Sequence, residues 1–491
     1  MSPKLGRDIL SKLLTDSAIY GGGDFIAKLV ALVTFPLIAA ALSSSGFGLL
    51  ELAMTVITLG GVLVRCGLNN AVQRFYWDST TTPVQRPALV STGFLLMFVL
   101  GIVISLAGGI AAPLLFDTLG ATGAAFSISG LLAIGLLLAF TPLNQYLLDI
   151  LRLHFAPWKF LGFSFLSRAL ASVLAVIAAL YWHAGVEGVL KAQAFVLVLV
   201  LPLGMWLIRR DLTLQFDIYW SKKLTAFGIP LIFTEIAYWL FSSIDRWMLA
   251  SMSGIESVGI YSVAFRFSTI VMFIATAFGM AWSPYAFKLQ SDYPDTHRKM
   301  YSEVLIILLV VMLSVAGAIS LFAGELIHAF LPAEYSSAAT PLIVLCFTVV
   351  IQASQQITAV GISIANKTMI FAYLVWIAAG CNAALNFWLI PAYGATGAAW
   401  ATLIAYLFLS VSFLFFTQRY YKLPIAWLRM AWISALGAIV LIVSLEYQQP
   451  YFLLSACIAK LIFAIICLIL VRPAIDLSAF KVADTTLLKK E

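Results

Sequence analysis

Charge is what this chain has least of. Lys, Arg, Asp and Glu make up only 10% of its 491 residues, against about a quarter in an ordinary soluble domain, and the mean hydropathy is +1.02. No soluble fold buries so much apolar surface, which excludes a water-soluble globular protein. The five cysteines, Cys66, Cys346, Cys381, Cys457 and Cys467, form no CxxC pair, so neither a disulfide framework nor a zinc site is indicated. The four histidines, His154, His183, His297 and His328, are scattered among connections. P-loop, HExxH, GxSxG and Rossmann fingerprints are missing, which disfavours an ATP-driven pump and the enzymes those motifs mark. Seven alternate connections, around Ser44, Asp117, His183, Ser253, Glu334, Tyr393 and Gln448, contain no Lys or Arg at all.

What fills the chain instead is apolar sequence, 62% of it, in fourteen stretches. Runs of roughly 20 apolar residues select membrane helices over the shorter alternating strands of a barrel. Spans are placed at residues 17–42, 46–67, 86–112, 124–147, 157–182, 186–208, 222–249, 256–284, 301–322, 338–364, 368–390, 395–416, 427–445 and 450–471. Cytoplasmic loops keep basic residues and translocated ones avoid them. With the amino terminus inside, Arg74, Arg86, Arg152, Lys159, Arg209, Arg210, Lys222, Lys223, Lys288, Arg298, Lys367, Arg419 and Lys422 all fall on the cytoplasmic side, and both termini lie there too. The expected class is an all-α polytopic membrane protein with 14 transmembrane helices. Its formal charge of +7 is spread along loops beside anionic lipid headgroups, which argues for membrane lipids and against nucleic acid as a partner. The first span is too long for a signal-peptide core and is expected to be retained.

The sequence repeats itself. Gly48-Leu49-Leu50-Glu51-Leu52-Ala53 matches Gly259-Ile260-Tyr261-Ser262-Val263-Ala264 at an offset of 211, and Gly185-Val186-Glu187-Gly188 matches Gly394-Ala395-Thr396-Gly397 at 209. Two separate matches agreeing on one period predict two six-helix lobes in parallel repeat plus two C-terminal helices. The expected division is 1–210 (helices 1–6), 211–421 (helices 7–12) and 422–491 (helices 13–14 and a cytoplasmic tail).

Two segments carry a resemblance. Ser242-Ser243-Ile244-Asp245-Arg246-Trp247, followed by Val258-Gly259-Ile260-Tyr261-Ser262-Val263-Ala264, and Gly67-Leu68-Asn69-Asn70-Ala71-Val72-Gln73-Arg74-Phe75-Tyr76-Trp77-Asp78 resemble the polysaccharide-transport flippases of the multidrug/oligosaccharidyl-lipid/polysaccharide exporter superfamily. The resemblance covers essentially the whole chain. It implies an alternating-access transporter that carries a polyprenyl-pyrophosphate-linked oligosaccharide from the cytoplasmic to the external leaflet, in a bacterial inner membrane, for envelope or extracellular polysaccharide biosynthesis. Polysaccharide polymerase machinery is a further candidate partner, and with the enzyme fingerprints missing, neither enzymatic activity nor a cofactor is expected.

Ionisable side chains deep in a membrane cost about 2.5–3.5 kcal/mol on insertion scales, so they need a partner or a wet cavity. Span placement puts Asp24, Lys28, Arg168, Glu235, Arg266 and Lys460 near mid-depth, Asp245 and Arg246 nearer the outside and Arg65 nearer the inside. Guanidinium offers paired donors and ammonium a compact charge to a pyrophosphate. Lys28, Arg65, Arg168, Arg246 and Arg266 are therefore the expected headgroup ligands. The bland alternative is internal neutralisation, Asp24 with Lys28 and Asp245 with Arg246. Asp24 and Glu235 stand 211 positions apart, the repeat offset, so each lobe presents an acid at equivalent depth. One reading is coupling to H+ or Na+; the other is structural pairing, with Ser242 or Tyr238 as the neighbour of Glu235. Tyr238, Trp239 and Tyr261 are placed to stack on sugar if a cavity reaches them, with ordinary packing the stronger reading. Competing functions are a cation-coupled multidrug exporter, which should prefer an acidic cavity, and a membrane polysaccharide polymerase or glycosyltransferase. The latter would need a catalytic external loop, and only Glu325, His328 and Glu334 offer candidates.

Overall fold

In hydrocarbon a peptide group has no water to bond, so each apolar stretch closes its own hydrogen bonds as a helix. The computed structural model describes residues 3–118, 126–292, 296–365, 367, 369–449 and 451–474, and the regular structure among them is helical throughout. The helices are α1 (Pro3–Arg65), α2 (Leu68–Tyr76), α3 (Arg86–Thr118), α4 (Ile128–Leu153), α5 (Pro157–Leu180), α6 (Gly185–Leu207), α7 (Ile218–Ser253), α8 (Ile255–Asp292), α9 (His297–Leu321), α10 (Ala323–Phe330), α11 (Ala339–Thr358), α12 (Val360–Ile364), α13 (Met369–Tyr420), α14 (Trp427–Glu446) and α15 (Leu454–Val471). Twelve segments are long and apolar enough to cross a bilayer. Two of them lie in α1 and α13, of 63 and 52 residues, each broken by a non-helical residue: Ser43 (φ 64°, ψ 167°) and Gly394 (φ 52°, ψ −131°). Each therefore crosses twice, which gives the fourteen crossings expected. Both breaks fall in connections predicted from hydropathy, between spans 1 and 2 and between spans 11 and 12.

Several helices extend past the expected spans: α1 begins at Pro3, α3 runs to Thr118 and α8 to Asp292. The α4 helix runs to Leu153 rather than 147, with Asp149, which looks like a loop residue, buried and hydrogen-bonded to Asn69 of α2. Span 10 was expected as one stretch to 364; the helix instead ends at Thr358, turns at Ala359 and resumes as the single turn of α12.

The chain divides into two compact units, Met1–Ser243 with Gly254–Gly259, and Ile244–Ser253 with Ile260–Glu491. In the first, α1 packs along α5 and against α4, α3 and α6, while α4 packs on α6 and α3. Short α2 buries Leu68, Val72 and Phe75 among Leu89, Phe94, Tyr146, Leu147, Phe160 and Trp220. The Tyr146 hydroxyl donates to the Val90 carbonyl at 2.8 Å, satisfying the one polar atom that ring brings inside. One of the two segments carrying the family resemblance is this helix and its flanks. Where α2 begins, Gly67 has φ 65°, a conformation that favours glycine.

The polar end of α2 is tied down by a carboxylate hub. Asp211, in the connection after α6, accepts from Tyr76 Oη at 2.5 Å and pairs with His154 Nε2 at 2.7 Å. Burial alone would raise its pKa, but the bonds from His154 and Tyr76, with the charges of His154 and Arg86, hold the Asp211 carboxyl below its ordinary value. A depressed carboxyl contributes stability that is present above its unfolded pKa of about 3.9 and is lost as pH falls through the lower folded value. Melting of the detergent-solubilised protein should therefore weaken in that acid window, and Asp211→Asn should melt earlier at neutral pH with a flatter acid limb. An unchanged acid limb in the variant would show that Asp211 does not supply this term.

In the second unit α11 packs on α13 and α9, and α14 and α15 pack on α9. Two ion pairs fix these last helices. Arg429 donates to both oxygens of buried Glu303, at 2.8 and 2.6 Å, and to the Ala474 carbonyl at 3.2 Å. Lys460 reaches buried Glu325 at 2.5 Å. Lys460, one of the deep cations of the sequence, is thus a fastener of α15 to α10. Breaking a buried pair on one side leaves an uncompensated charge and costs about 3–5 kcal/mol. Arg429→Ala should therefore lower the melting temperature sharply and loosen proteolytic protection of α14 and α15, whereas Arg429→Lys, which keeps the charge, should lose less.

Candidate functional site

The best-defined polar site lies in the first unit, where α7 runs antiparallel beside the second half of α1. Two backbones meet at its lower end. A Cβ on Gly67 would stand 2.4 Å from the Gly228 carbonyl oxygen, and one on Gly228 would stand 2.3 Å from the Cys66 oxygen. This approach exists because neither residue has a side chain. Two turns along α7, Glu235 Oε2 lies 3.5 Å from Arg65 Nη2. One turn further, Trp239 Nε1 donates to the Thr55 carbonyl and to Thr58 Oγ1, both at 3.2 Å. Positions 228, 235 and 239 share one helical face, so the same packing that joins the glycines delivers the carboxylate to the guanidinium. Gly61 leaves room on the far side: a Cβ there would be 3.7 Å from Arg65 Nη1 and 3.6 Å from Pro142.

The Arg65–Glu235 pair is partly exposed. Their side chains keep 30% and 28% of their exposure, and the contact is a single long bridge. Such pairs are worth about 0–1 kcal/mol. Its geometry contrasts with the bidentate Arg429–Glu303 pair described above, in which the acid is buried although the arginine is partly exposed. The first arrangement can exchange partners; the second cannot without exposing a buried acid.

The other candidate cations are placed differently. Arg168 on α5 and Arg266 on α8 are partly exposed. Arg246 is a correction to the expectation of an open headgroup ligand: it is 6% exposed, its Nη1 is 3.7 Å from Asp245 Oδ1, and its guanidinium stacks 4.6 Å over the Phe265 ring. The Tyr261 hydroxyl donates to the other Asp245 oxygen. Burial of this acid demands a nearby cation, so the neutralising alternative accounts for Arg246. Tyr261 is fully buried in the same network, and the Trp239 indole N–H is committed to α1, which leaves Tyr238, 52% exposed, as the accessible aromatic of the three. The partner of Glu235 is Arg65, not the neighbouring Ser242 or Tyr238. Asp24 and Lys28 lie on α1 outside the residues whose side chains are described.

One acid was missed. Asp149, 7% exposed, accepts from Asn69 Nδ2 at 2.5 Å and from Gln145 Nε2 at 3.1 Å, with Arg152 Nη1 at 3.5 Å. Asn69 belongs to the motif after span 2, so the signal available is an amide in a glycine-led turn; Asp149 itself lies past the expected end of span 4 and reads as loop.

Comparison with known proteins agrees with this architecture. The sequence profile of the family described as polysaccharide biosynthesis protein matches residues 13–290, and the MatE profile matches 230–388. The succinoglycan biosynthesis transport protein ExoT of Rhizobium meliloti is 28% identical over 277 residues, covering 55% of this chain and 52% of that protein. An Lsg locus protein of Haemophilus influenzae is 22% identical over 288 residues, covering 56% and 66%. The match thus spans about half to two thirds of the curated relatives' length. Among solved structures, the lipid II flippase MurJ in its inward closed conformation superposes with a TM-score of 0.67 at 14% identity, covering 92% of this chain and 98% of that one. An inward-facing multidrug resistance MATE family transporter gives 0.62 at 16%, covering 80% and 94%. With more than half of its length matched by the family profile and the fold shared along its length, the chain belongs to the polysaccharide biosynthesis protein family, the polysaccharide-transport branch of the multidrug/oligosaccharidyl-lipid/polysaccharide exporter superfamily.

Proposed function

We propose that this protein is an alternating-access flippase that moves a polyprenyl-pyrophosphate-linked oligosaccharide from the cytoplasmic to the external leaflet of a bacterial inner membrane. Residues 1–210 and 211–421 act as the two repeats, with 422–491 appended and both termini in the cytoplasm. The observation that carries the reading is the long, partly exposed Arg65–Glu235 pair. Its low intrinsic worth lets a pyrophosphate, with several charged oxygens, displace Glu235 from the Arg65 guanidinium. The released carboxylate is then free to take up H+ or Na+, which links cargo to an ion without any resident cofactor. Arg168 and Arg266 are the further cations assigned to the cargo, and Asp24 with Lys28 the equivalent acid and base of the first helix. ExoT is named for succinoglycan transport and MurJ for flipping lipid II; the first name favours a glycan as cargo, the second a lipid-linked one, and both a transporter over an enzyme.

The MatE match over residues 230–388 favours a second reading, cation-coupled multidrug export. Charge separates the two. A cationic drug has no use for Arg65, whereas a pyrophosphate does. The test is translocation of a labelled polyprenyl-pyrophosphate glycan in everted membrane vesicles. Ion-dependent movement of the glycan is expected. Chain elongation without movement would overturn the proposal in favour of a polymerase, and uptake of lipophilic cations alone would overturn it in favour of efflux.

A further inference from the structure

A polar cavity lies in the first unit, away from Arg65 and unused by the proposed transport cycle. It has a volume of about 440 Å³ and opens where the end of α2, the α4–α5 connection and the α6–α7 connection converge. Lys159, Arg209 and Arg210 line it, all three exposed, and among the described residues none is in an ion pair. The Arg209 guanidinium stacks 4.6 Å over the Trp206 ring, which orients the fork while leaving its N–H edges open. The one acid in the lining, Asp211, is already held by His154 and Tyr76 and does not compete for the cations.

The walls match a membrane surface. Trp77, Phe155 and Trp206 are 52%, 58% and 57% exposed, and Trp77 and Phe155 stand 6.0 Å apart, ring to ring. Phe155 has φ 50°, a left-handed backbone that a bulky residue rarely adopts. The hub at Asp211 and the turn at Phe155 together fix the rim. Exposed indoles beside exposed arginines, at helix ends, are the combination that sits at a lipid headgroup layer. The basic ends of these helices are those the positive-inside rule assigns to the cytoplasm, where anionic lipids concentrate.

We propose that this cavity is a phosphate-binding site, in which Lys159, Arg209 and Arg210 hold the phosphate and the aromatic rim receives what it is attached to. The phosphate can be that of an anionic lipid headgroup or of a free anion, and the experiment separates them. The full-length protein is placed in phosphatidylcholine nanodiscs and titrated with radiolabelled inorganic phosphate. In parallel, protein from nanodiscs containing phosphatidylglycerol is released for native mass spectrometry and its retained lipids are counted. The cavity variant carries Lys159→Ala, Arg209→Ala and Arg210→Ala. The control variant, Lys367→Ala, Arg419→Ala and Lys422→Ala, loses equal charge elsewhere, at the exposed end of α13 and in the connections beside it. Arg209→Lys with Arg210→Lys keeps the charge and is expected to bind between parent and cavity variant, so that a misfolded cavity variant does not decide the result.

For a lipid site, phosphatidylglycerol retention should fall about tenfold in the cavity variant and hold in the control, each lost charge-assisted bond contributing. For a free-anion site, saturable phosphate binding should show that difference instead. Either outcome supports the proposal. It is overturned if neither probe distinguishes the cavity variant from the control. Glycan translocation is read in none of these arms, so this site stands or falls apart from the transport reading.

Discussion

Arg65→Ala is expected to lower glycan translocation by about 10- to 100-fold while leaving insertion and melting close to those of the parent. The expectation follows from two magnitudes. As a bridge to Glu235 the guanidinium makes one contact at 3.5 Å with both side chains partly exposed, worth about 0–1 kcal/mol to the fold. As a ligand of pyrophosphate it would make charge-assisted bonds worth about 1.5–3 kcal/mol each, and these are lost with the side chain. Arg65→Lys should recover only part of the rate, because an ammonium supplies a point charge without the planar fork. Glu235→Gln tests the other half of the exchange. It removes the competitor for Arg65, so the cargo should bind more tightly, release more slowly and lose its dependence on pH or Na+. Full transport by Arg65→Ala would remove this residue from the site. A melting loss proportional to the transport loss would mean that the pair is structural.

The amount of this that could be read in advance depends on how local each signal is. Hydropathy counts crossings well because a break within a long helix needs a residue out of helical geometry, and Ser43 and Gly394 fall in the polar gaps the sequence already marks. Charge depth was equally visible, and it flagged Arg65, Glu235 and Arg246. Pairing was not. Glu235 finds Arg65 across 170 residues and Asp149 finds Asn69 across 80, distances over which one sequence carries no record of contact. The same limit explains Arg246 and Lys460. Each was visible as a cation in an apolar span, but the fold decides whether such a cation faces water or a private acid, and both meet acids. Asp211 and His154 gave no signal because they lie in connections, where a charged residue is ordinary. The repeat was legible as an offset of 211, but not that its matched glycines touch.

That contact yields the largest expected loss of stability. Gly48 on α1 and Gly259 on α8 are the paired positions of the repeat, and their backbones cross with no room for a side chain. A Cβ on Gly259 would lie 1.9 Å from the Ser44 carbonyl oxygen, and one on Gly48 would lie 2.1 Å from the Ile255 oxygen, where ordinary contact begins near 3.4 Å. Flexible side chains could swing aside from such a clash; carbonyl groups of two packed helices cannot. Small residues at such crossings let membrane helices approach closely enough to gain dispersion energy, the main attraction left when lipid is as apolar as the side chains. Gly259→Ala must therefore part the helices, at a cost at or above the 1–3 kcal/mol (approximately) usual for overpacking. Gly48→Ala should cost a similar amount, and the double variant less than the total of the two, because the first substitution already opens the crossing. Gly162 and Gly380 provide the internal comparison. Both lie within helices with nothing within 4 Å of an added Cβ, so alanine there should be neutral or stabilise by up to about 1 kcal/mol through helix propensity. If Gly259→Ala melts with Gly162→Ala rather than well below it, the two helices do not cross at the glycines, and the repeat-matched contact is lost with them.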